Sequence, residues 1–230
     1  MSTVLLIPAL LHEGATATLP PYLLGAIKSC HAFFVENERT TRRYFKSLDK
    51  SIVIDNYTWA TIGENNTESL FRTLLKEGKT IGIVSEAGCP GVADPGQTLV
   101  SIAHEMGSHV KPLVGPSSIL LALMASGLNG QQFRFAGYLP IDEKARQKSI
   151  LDLENLSRKE DCTQLFIETP YRNNTLLQAL VKQLSPNTRL CIAADLTSPT
   201  EWVLTQSVSQ WKKAMPDLHK RQVIFAFKTP

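Results

Sequence analysis

Ile81-Gly82-Ile83-Val84, followed by Ser85-Glu86-Ala87-Gly88-Cys89-Pro90-Gly91-Val92-Ala93-Asp94-Pro95-Gly96 and then Gln97 to Met106, is the stretch whose reading decides the fold. The first four residues are apolar and too few for a helix. The last ten place Leu99, Ile102, Ala103 and Met106 on one face and stop at Gly107, which is helical spacing with a glycine terminator. A strand, a loop rich in glycine and proline, and a helix in that order mark a parallel strand with its crossover.

The same rhythm extends in both directions. Val4 to Ile7, Ala32 to Val35, Ile52 to Ile54 and Val110 to Val114 read as further buried strands. Thr67 to Lys76 reads as a helix, with Leu70, Leu74 and Leu75 on one face and Gly78 beyond its end. After Pro116 a second series begins, with strands at Phe133 to Tyr138, Gln164 to Ile167, Leu190 to Ala194 and Val223 to Phe227. Helical stretches fall near Lys144 to Leu156, Asn174 to Leu184 and Ser207 to Met215, and Asp142 to Gln147 is a charged, exposed segment. The expected fold is α/β, with residues 1–115 forming one α/β domain on a mainly parallel sheet and residues 116–230 a second on a mixed sheet. Halves of about 110 residues suit the usual domain size, and no sequence repeat relates them.

Composition narrows the function. The 230 residues are 43% apolar and 20% charged, and carry no apolar run of about 18 residues, so a disordered chain and a spanning helix are both excluded. The 24 Lys and Arg against 21 Asp and Glu leave a net charge of +3, so a nucleic-acid partner would be held by a local basic patch. Cys30, Cys89, Cys162 and Cys191 are scattered without a Cys-x-x-Cys pair, which argues against a zinc site, a redox motif or a disulfide framework. No metal is expected, and a cytoplasmic setting fits. Val4 to Leu11 has no basic residue before it and contains Pro8, so it reads as a buried first strand and not as a signal peptide.

Several apparent signatures fail. Gly78-Lys79-Thr80 lacks the upstream glycine of a phosphate-binding loop and runs from helix to strand. His104-Glu105 has Ser108 where a zinc protease needs histidine. Gly115-Pro116-Ser117 has Ile119 in place of the closing glycine of a nucleophile elbow, and no Gly-x-Gly-x-x-Gly follows a strand.

Ser85 to Gly96 survives, because it occupies the carboxyl end of a parallel strand, where open α/β sheets bind ligands. Part of it has a plain structural explanation, Asp94 capping a helix with Pro95 at its first position. The glycines and prolines around Ala87 and Val92 exceed that need and suit close backbone approach to a ligand. In Val110 to Ser118 a strand leads into a helix expected to begin at Pro116. The amides of Ser117 and Ser118 would there face a carboxylate or carbonyl oxygen, or else the serines simply cap the helix.

Taken together these residues resemble the tetrapyrrole methylase superfamily, the class III S-adenosylmethionine-dependent methyltransferases. The branch most similar methylates a cytidine ribose 2′-hydroxyl of small-subunit ribosomal RNA. Its Ser-Asp-Ala-Gly-x-Pro-x-x-x-Asp-Pro-Gly loop is matched by Ser85 to Gly96, with Glu86 in place of Asp. A Pro-x-x-Gly-Pro-x-x-x stretch is matched by Pro112 to Ser118, and Phe-x-Gly-Phe-Leu-Pro by Phe135 to Pro140. Glu-Asp-x-Arg-x-Thr is matched by Glu36 to Thr41, Phe-x-Glu-Ser-x-x-Arg by Phe166 to Arg172, and Arg-Glu-Leu-Thr-x-x-x-Glu by Ala194 to Glu201. The resemblance covers nearly the whole chain.

It implies a homodimer whose two α/β domains hold S-adenosyl-L-methionine in a cleft between them. Position by position it places Pro8, Ser85, Ala87, Gly88, Cys89, Val92, Ser117 and Ser118 against the cofactor, with Phe166, Ala194 and Leu196 on the second domain's wall. Three departures stand out. The branch's Pro-Thr-Pro-Ile-Gly-Asn loop is Pro8 to Gly14 here with only Pro8 kept, Asn37 replaces Asp, and Ala194 replaces Arg.

A ribose hydroxyl is a poor nucleophile, so a base or a charge that stabilises the alkoxide would help. Glu36, Arg39, Glu168 and Arg172 form the candidate catalytic set, Glu36 or Glu168 to accept the proton and Arg39 or Arg172 to hold phosphate bidentately. An interdomain or dimer salt bridge is the alternative for each. Arg39, Arg42, Arg43 and Lys46, beside Tyr44 and Phe45, could grip an RNA backbone or form a solvated helix face. Three functions follow: a ribosomal RNA ribose methyltransferase working on rRNA or the small subunit, a methyltransferase on a tetrapyrrole or other small molecule, and a catalytically silent binding protein on the same fold.

Overall fold

The computed structural model describes residues 2–230, which form two compact units, residues 2–117 and Ser118–Pro230. The join lies two residues past the expected one. The first unit runs β1 (Thr3–Ile7), α1 (Leu23–Lys28), β2 (Ala32–Val35), α2 (Glu38–Leu48), β3 (Thr58–Thr61), α3 (Thr67–Lys76), β4 (Thr80–Val84), α4 (Gln97–Glu105) and β5 (His109–Pro112). Its sheet has the order β3-β2-β4-β1-β5 and every pairing is parallel.

Side-chain alternation along the strands builds two cores. Leu5, Ile7, Phe33 and Val35 point to one face and pack with Leu23 and Ile27 of α1 and Phe45 of α2. Val4, Phe34, Ile81 and Ile83 point to the other and pack with Phe71 of α3 and Leu99 and Ile102 of α4. A sheet covered on both faces explains why its central strands read as continuous apolar runs. Phe33 lies edge-on to Phe45, ring centroids 4.8 Å apart, and fills the space that Gly82 of β4 leaves on the same face.

Strand order also sets the position of the site. β1 and β4 are neighbours, but the chain leaves β1 for β2 on the far side of β4, and leaves β4 for β5 on the far side of β1. The connections depart in opposite senses, which makes the carboxyl ends of these two strands the topological switch point where such sheets bind ligands.

The second unit runs α5 (Ser118–Ser126), β6 (Phe133–Tyr138), α6 (Glu143–Glu160), β7 (Thr163–Ile167), α7 (Asn173–Gln183), β8 (Arg189–Ala194), β9 (Trp202–Ser207), α8 (Val208–Trp211) and β10 (Val223–Lys228). Its sheet is mixed, in the order β6-β7-β10-β8-β9 with only β6 and β7 parallel. Asp142, in the charged segment, caps α6 by accepting the Ala145 N–H at 2.8 Å.

Four expectations need correction. Ile52 to Ile54 is not a strand: Ile52 is buried, but Ile54–Asn56 forms a 3-10 turn, where Asp55 and Asn56 favour local backbone hydrogen bonds. The strand of that region is β3, an edge strand whose half-exposed Thr-Trp-Ala-Thr lacks an apolar run. Ser207 to Met215 contains only the four-residue α8, which the Ser207–Gln210 capping box starts and which follows the unexpected edge strand β9. α4 starts at Gln97, with Gly96 and not Asp94 at its cap, and α5 starts at Ser118, beyond Pro116.

A Cβ at Gly82 would lie 2.6 Å from the Phe33 ring and 2.8 Å from Ile7 Cδ1, both fully buried. Gly82→Ala is expected to destabilise the chain by about 1–3 kcal/mol through overpacking, read as a lower urea midpoint at unchanged slope.

Candidate cofactor loops at the sheet switch point

Three loops leave the carboxyl edge of the first sheet and are tied together. Ala9, after β1, and Gly88, after β4, exchange both backbone hydrogen bonds, Ala9 N–H to Gly88 O at 2.8 Å and Gly88 N–H to Ala9 O at 3.2 Å. Gly88 takes φ +75°, which its lack of a Cβ permits. Buried Ser85 donates its hydroxyl to Gly88 O at 3.3 Å and so closes the turn.

The β5–α5 loop joins through Cys89, whose thiol donates to Pro116 O at 3.4 Å. Burial pushes the Cys89 thiol up, so it remains a neutral packing donor and not a thiolate. Gly115 lies directly against Pro8: a Cβ there would come within 2.1 Å of Pro8 Cβ. From α2, Tyr44 donates its hydroxyl to Pro8 O at 2.8 Å, and burial raises its pKa well above the usual phenol range.

Pro8, Ser85, Ala87, Gly88, Cys89, Val92 and Ser117 therefore all stand on this one connected set of loops. Val92 is half exposed, whereas Pro8 and Ser85 are buried. The remaining cofactor candidates belong to the second unit. Ser118 is the first residue of α5. Phe166 and Ala194 are wholly buried in that unit's core, Phe166 stacked on Phe225. Leu196 is buried in a neighbouring cluster.

Glu36 follows β2 and reaches the β4–α4 loop, where its Oε1 accepts the Glu86 N–H at 3.0 Å. Thr40 donates to Glu86 Oε1 at 3.0 Å. Asn37 caps α2 by accepting from the amides of Arg39 and Thr40 at 3.0 and 3.2 Å, so the exchange of Asp for Asn keeps the cap. Burial, and then the nearby Asp94 and Glu86 carboxylates, push Glu36 above the ordinary carboxyl range, while the Glu86 amide opposes the shift.

Arg39 is exposed on the first turn of α2, as is Arg43 further along. Arg42 pairs with Glu38 at 2.8 Å and lies over the Trp59 ring at 5.0 Å, and Lys46 donates to Lys50 O. The structure thus divides the basic cluster into two exposed arginines and two residues with local partners.

Glu168 and Arg172 meet each other. Glu168 is buried, and its Oε1 accepts from Arg172 Nε and Nη2 and from the Thr169 amide. Both belong to the second unit, and Glu36 and Arg39 to the first. Sequence reading missed the roles of Thr40 and Tyr44, which lie on the outer helix α2 and reach the loops only through the tertiary fold. It also missed Asp94's: that residue looks like a helix cap, yet its Oδ1 accepts from the amides of Gly91 and Gly96 within its own loop.

Among the described residues no group of three or more His, Cys, Asp or Glu side chains is arranged to hold a metal ion. Nor is any helix there long and apolar enough to cross a membrane.

A parallel β3-β2-β4-β1-β5 sheet with loops joined at its switch point, followed by a mixed five-stranded sheet, defines the class III methyltransferase fold. Solved structures agree over almost the whole chain. The methyltransferase CobJ covers 99% of it at a TM-score of 0.64 and 16% identity, with 94% of that chain matched. Diphthine synthase covers 100% at 0.69 and 13%, with 90% matched. No family model matches the chain. Among curated proteins, the ribosomal RNA small subunit methyltransferase I of Mycobacterium tuberculosis (strain CDC 1551 / Oshkosh) is 30% identical over 204 residues, which is 86% of this chain and 68% of the relative. That of Vibrio cholerae is 31% identical over 183 residues, 78% of this chain and 60% of the relative. The chain belongs to this ribosomal RNA small subunit methyltransferase I family, within the tetrapyrrole methylases. It spans 60% and 62% of the length of the Vibrio cholerae and Bacillus subtilis relatives.

Gly115→Ala is expected to separate the β1 and β5 loops and leave the sheet intact. Amide exchange at Ala9 and Gly88 should rise by about tenfold or more while Ile81 and Ile83 keep their protection.

Proposed function

We propose that this chain transfers a methyl group from S-adenosyl-L-methionine to a ribose 2′-hydroxyl of small-subunit ribosomal RNA. The observation that carries the reading is the tied set of loops at the β1–β4 switch point, in a chain alike in sequence to ribosomal RNA methyltransferases over 86% of its length.

The loops suit such a cofactor. Their lining is small and uncharged at Ala87, Gly88, Cys89 and Ser117, with apolar Val92 and Val114 exposed on them, a surface for a nucleoside and a sulfonium. Pro8, Ser85 and these residues of the first unit would hold it. When bound, the cofactor would supply a methyl group on positively charged sulfur, its transfer leaving a neutral thioether while the hydroxyl's proton passes to a base or to water. The chain's own task is alignment and exclusion of water, with backbone groups of the loops fixing the donor.

Exposed Arg39 and Arg43 on α2 are the residues proposed to take RNA phosphate. Glu36, Glu168 and Arg172 complete the polar set, with Glu168 and Arg172 acting as one ion pair. The working form is a homodimer, which sedimentation of the purified protein tests.

Calorimetric titration should show micromolar binding of S-adenosylmethionine and of S-adenosylhomocysteine, about -8 kcal/mol. Tritiated methyl groups should then pass to small ribosomal subunits or their RNA. Absence of heat removes the reading and leaves a binding protein on a methylase fold. Heat with transfer only to small molecules replaces the substrate.

For RNA binding, Arg39→Ala and Arg43→Ala are each expected to lower the slope of log affinity against log salt by about 1. An unchanged slope would remove α2 from the RNA-contacting surface.

A further inference from the structure

The second sheet gathers exposed rings at one end. Tyr138, the last residue of β6, lies in register with Ile167, the last of β7, and Ile224 of antiparallel β10 pairs with Ile167 from the other side. The chain leaving β7 there passes Tyr171, and the chain entering β10 passes His219. Tyr138 and Tyr171 are 61% and 70% exposed, and the Tyr171 and His219 rings meet edge to face, centroids 5.8 Å apart. Single exposed apolar side chains are ordinary, but several at one place among charged groups mark an interaction surface.

The loop that carries His219 is held firmly. Asn174, on the first turn of α7, donates to Asp217 Oδ1 at 2.7 Å and accepts the Leu218 amide at 2.8 Å. Buried Asn173 donates to Arg221 O at 2.8 Å, and the Lys220 amide donates at 3.0 Å to the carbonyl of Pro170, the neighbour of Tyr171. Lys220 takes the left-handed φ of +62°, a conformation that lysine adopts only under constraint. The two rings are therefore fixed in place although both are in water. The Arg172 guanidinium is on Glu168 and that of Arg221 on Asp195. Exposed Lys220 is the cation of this loop that no carboxylate holds among the described residues.

Charge selects the occupant. Residues 212–221 contain Lys212, Lys213, Lys220 and Arg221 against Asp217 alone, a net charge of +3, equal to that of the entire chain. Such an excess, in the segment that carries one of the exposed rings, suits a polyanion that has flat faces of its own. Single-stranded nucleic acid has both, phosphates for the cations and unpaired bases for the rings.

We propose that Tyr171 and His219, with Tyr138 at the same end of the sheet, form a stacking platform for unpaired bases of the RNA acceptor, and that Lys220 takes an adjoining phosphate. That the bound RNA is the methyl acceptor rests on the reading above; the platform's affinity for single-stranded RNA does not.

Fluorescence anisotropy of a labelled single-stranded RNA of about ten nucleotides, titrated with the full chain with and without S-adenosylhomocysteine, tests the platform. Tyr171→Leu keeps an apolar side chain but no ring face and should weaken binding by about fivefold or more, whereas Tyr171→Trp should keep or exceed wild-type affinity. A matched oligomer without bases should bind wild type and Tyr171→Leu alike. Because Tyr171 is exposed, Tyr171→Leu should keep the wild-type urea midpoint. His219→Ala is the parallel variant on the other ring and should likewise weaken only the RNA that has bases. Lys220→Gly removes the cation and suits the left-handed backbone; it should lower the slope of log affinity against log salt by about 0.7, a slope that Tyr171→Leu leaves unchanged.

The platform is overturned by absence of RNA binding under both conditions, by equal affinity of wild type and Tyr171→Leu for the RNA, or by an equal loss on the oligomer without bases. Ring-dependent RNA binding without any cofactor heat sinks the methyl-transfer reading alone. Cofactor heat with ring-independent RNA binding sinks the platform alone.

Discussion

The contact between Gly115 and Pro8 is the constraint on which the rest of the first unit's ligand edge depends. No side chain larger than hydrogen fits between them, so the β5–α5 loop rests directly on the end of β1. Parallel pairing of β1 with both β4 and β5 brings the three loops to one edge, but pairing alone would let them splay. The close approach, with the Ala9–Gly88 exchange and the Cys89 thiol on Pro116, binds them into one surface. Each of these ties is made by backbone or by a small neutral side chain, so no fixed charge is placed there by the act of assembly.

That economy explains how the chain tolerates its departures from the family pattern. The first loop has lost most of its family residues, yet what joins it to the β4 loop is the Ala9 backbone, and what α2 holds is the Pro8 carbonyl. Neither depends on side chains beyond Pro8. Asn37 caps α2 through its amide oxygen just as a carboxylate would. The substitutions therefore alter what the loop presents and not how it is anchored. The place to look for altered specificity is the exposed run His12 to Gly14.

The central architecture was legible in the sequence because a sheet covered on both faces leaves an unmixed signal. Val4 to Ile7, Phe33 to Val35 and Ile81 to Val84 are apolar on both sides of the pleat, and Gly78 and Gly107 stop the following or preceding elements as read. β3 and β9 were illegible for the converse reason, being edge strands with mixed and half-exposed side chains. Of the site, the loops were readable from glycine, proline and position. Asp94 was not, since the Asp-Pro pair imitates a helix cap while its Oδ1 takes the Gly91 and Gly96 amides within the loop. Nor could spacing show that Glu168 and Arg172 are each other's partners through a buried carboxylate.

The role left to Glu36 follows from what already occupies it. A general base needs a vacant lone pair directed at the proton it will take. Glu36 has one oxygen on the Glu86 amide, and burial together with the nearby negative charges raises it above the ordinary carboxyl range. A group so placed is better suited to holding a loop than to deprotonating a hydroxyl. Methyl transfer from a sulfonium to a hydroxyl releases a neutral thioether and one proton, so in the proposed reaction that proton would pass to a base other than Glu36 or to water.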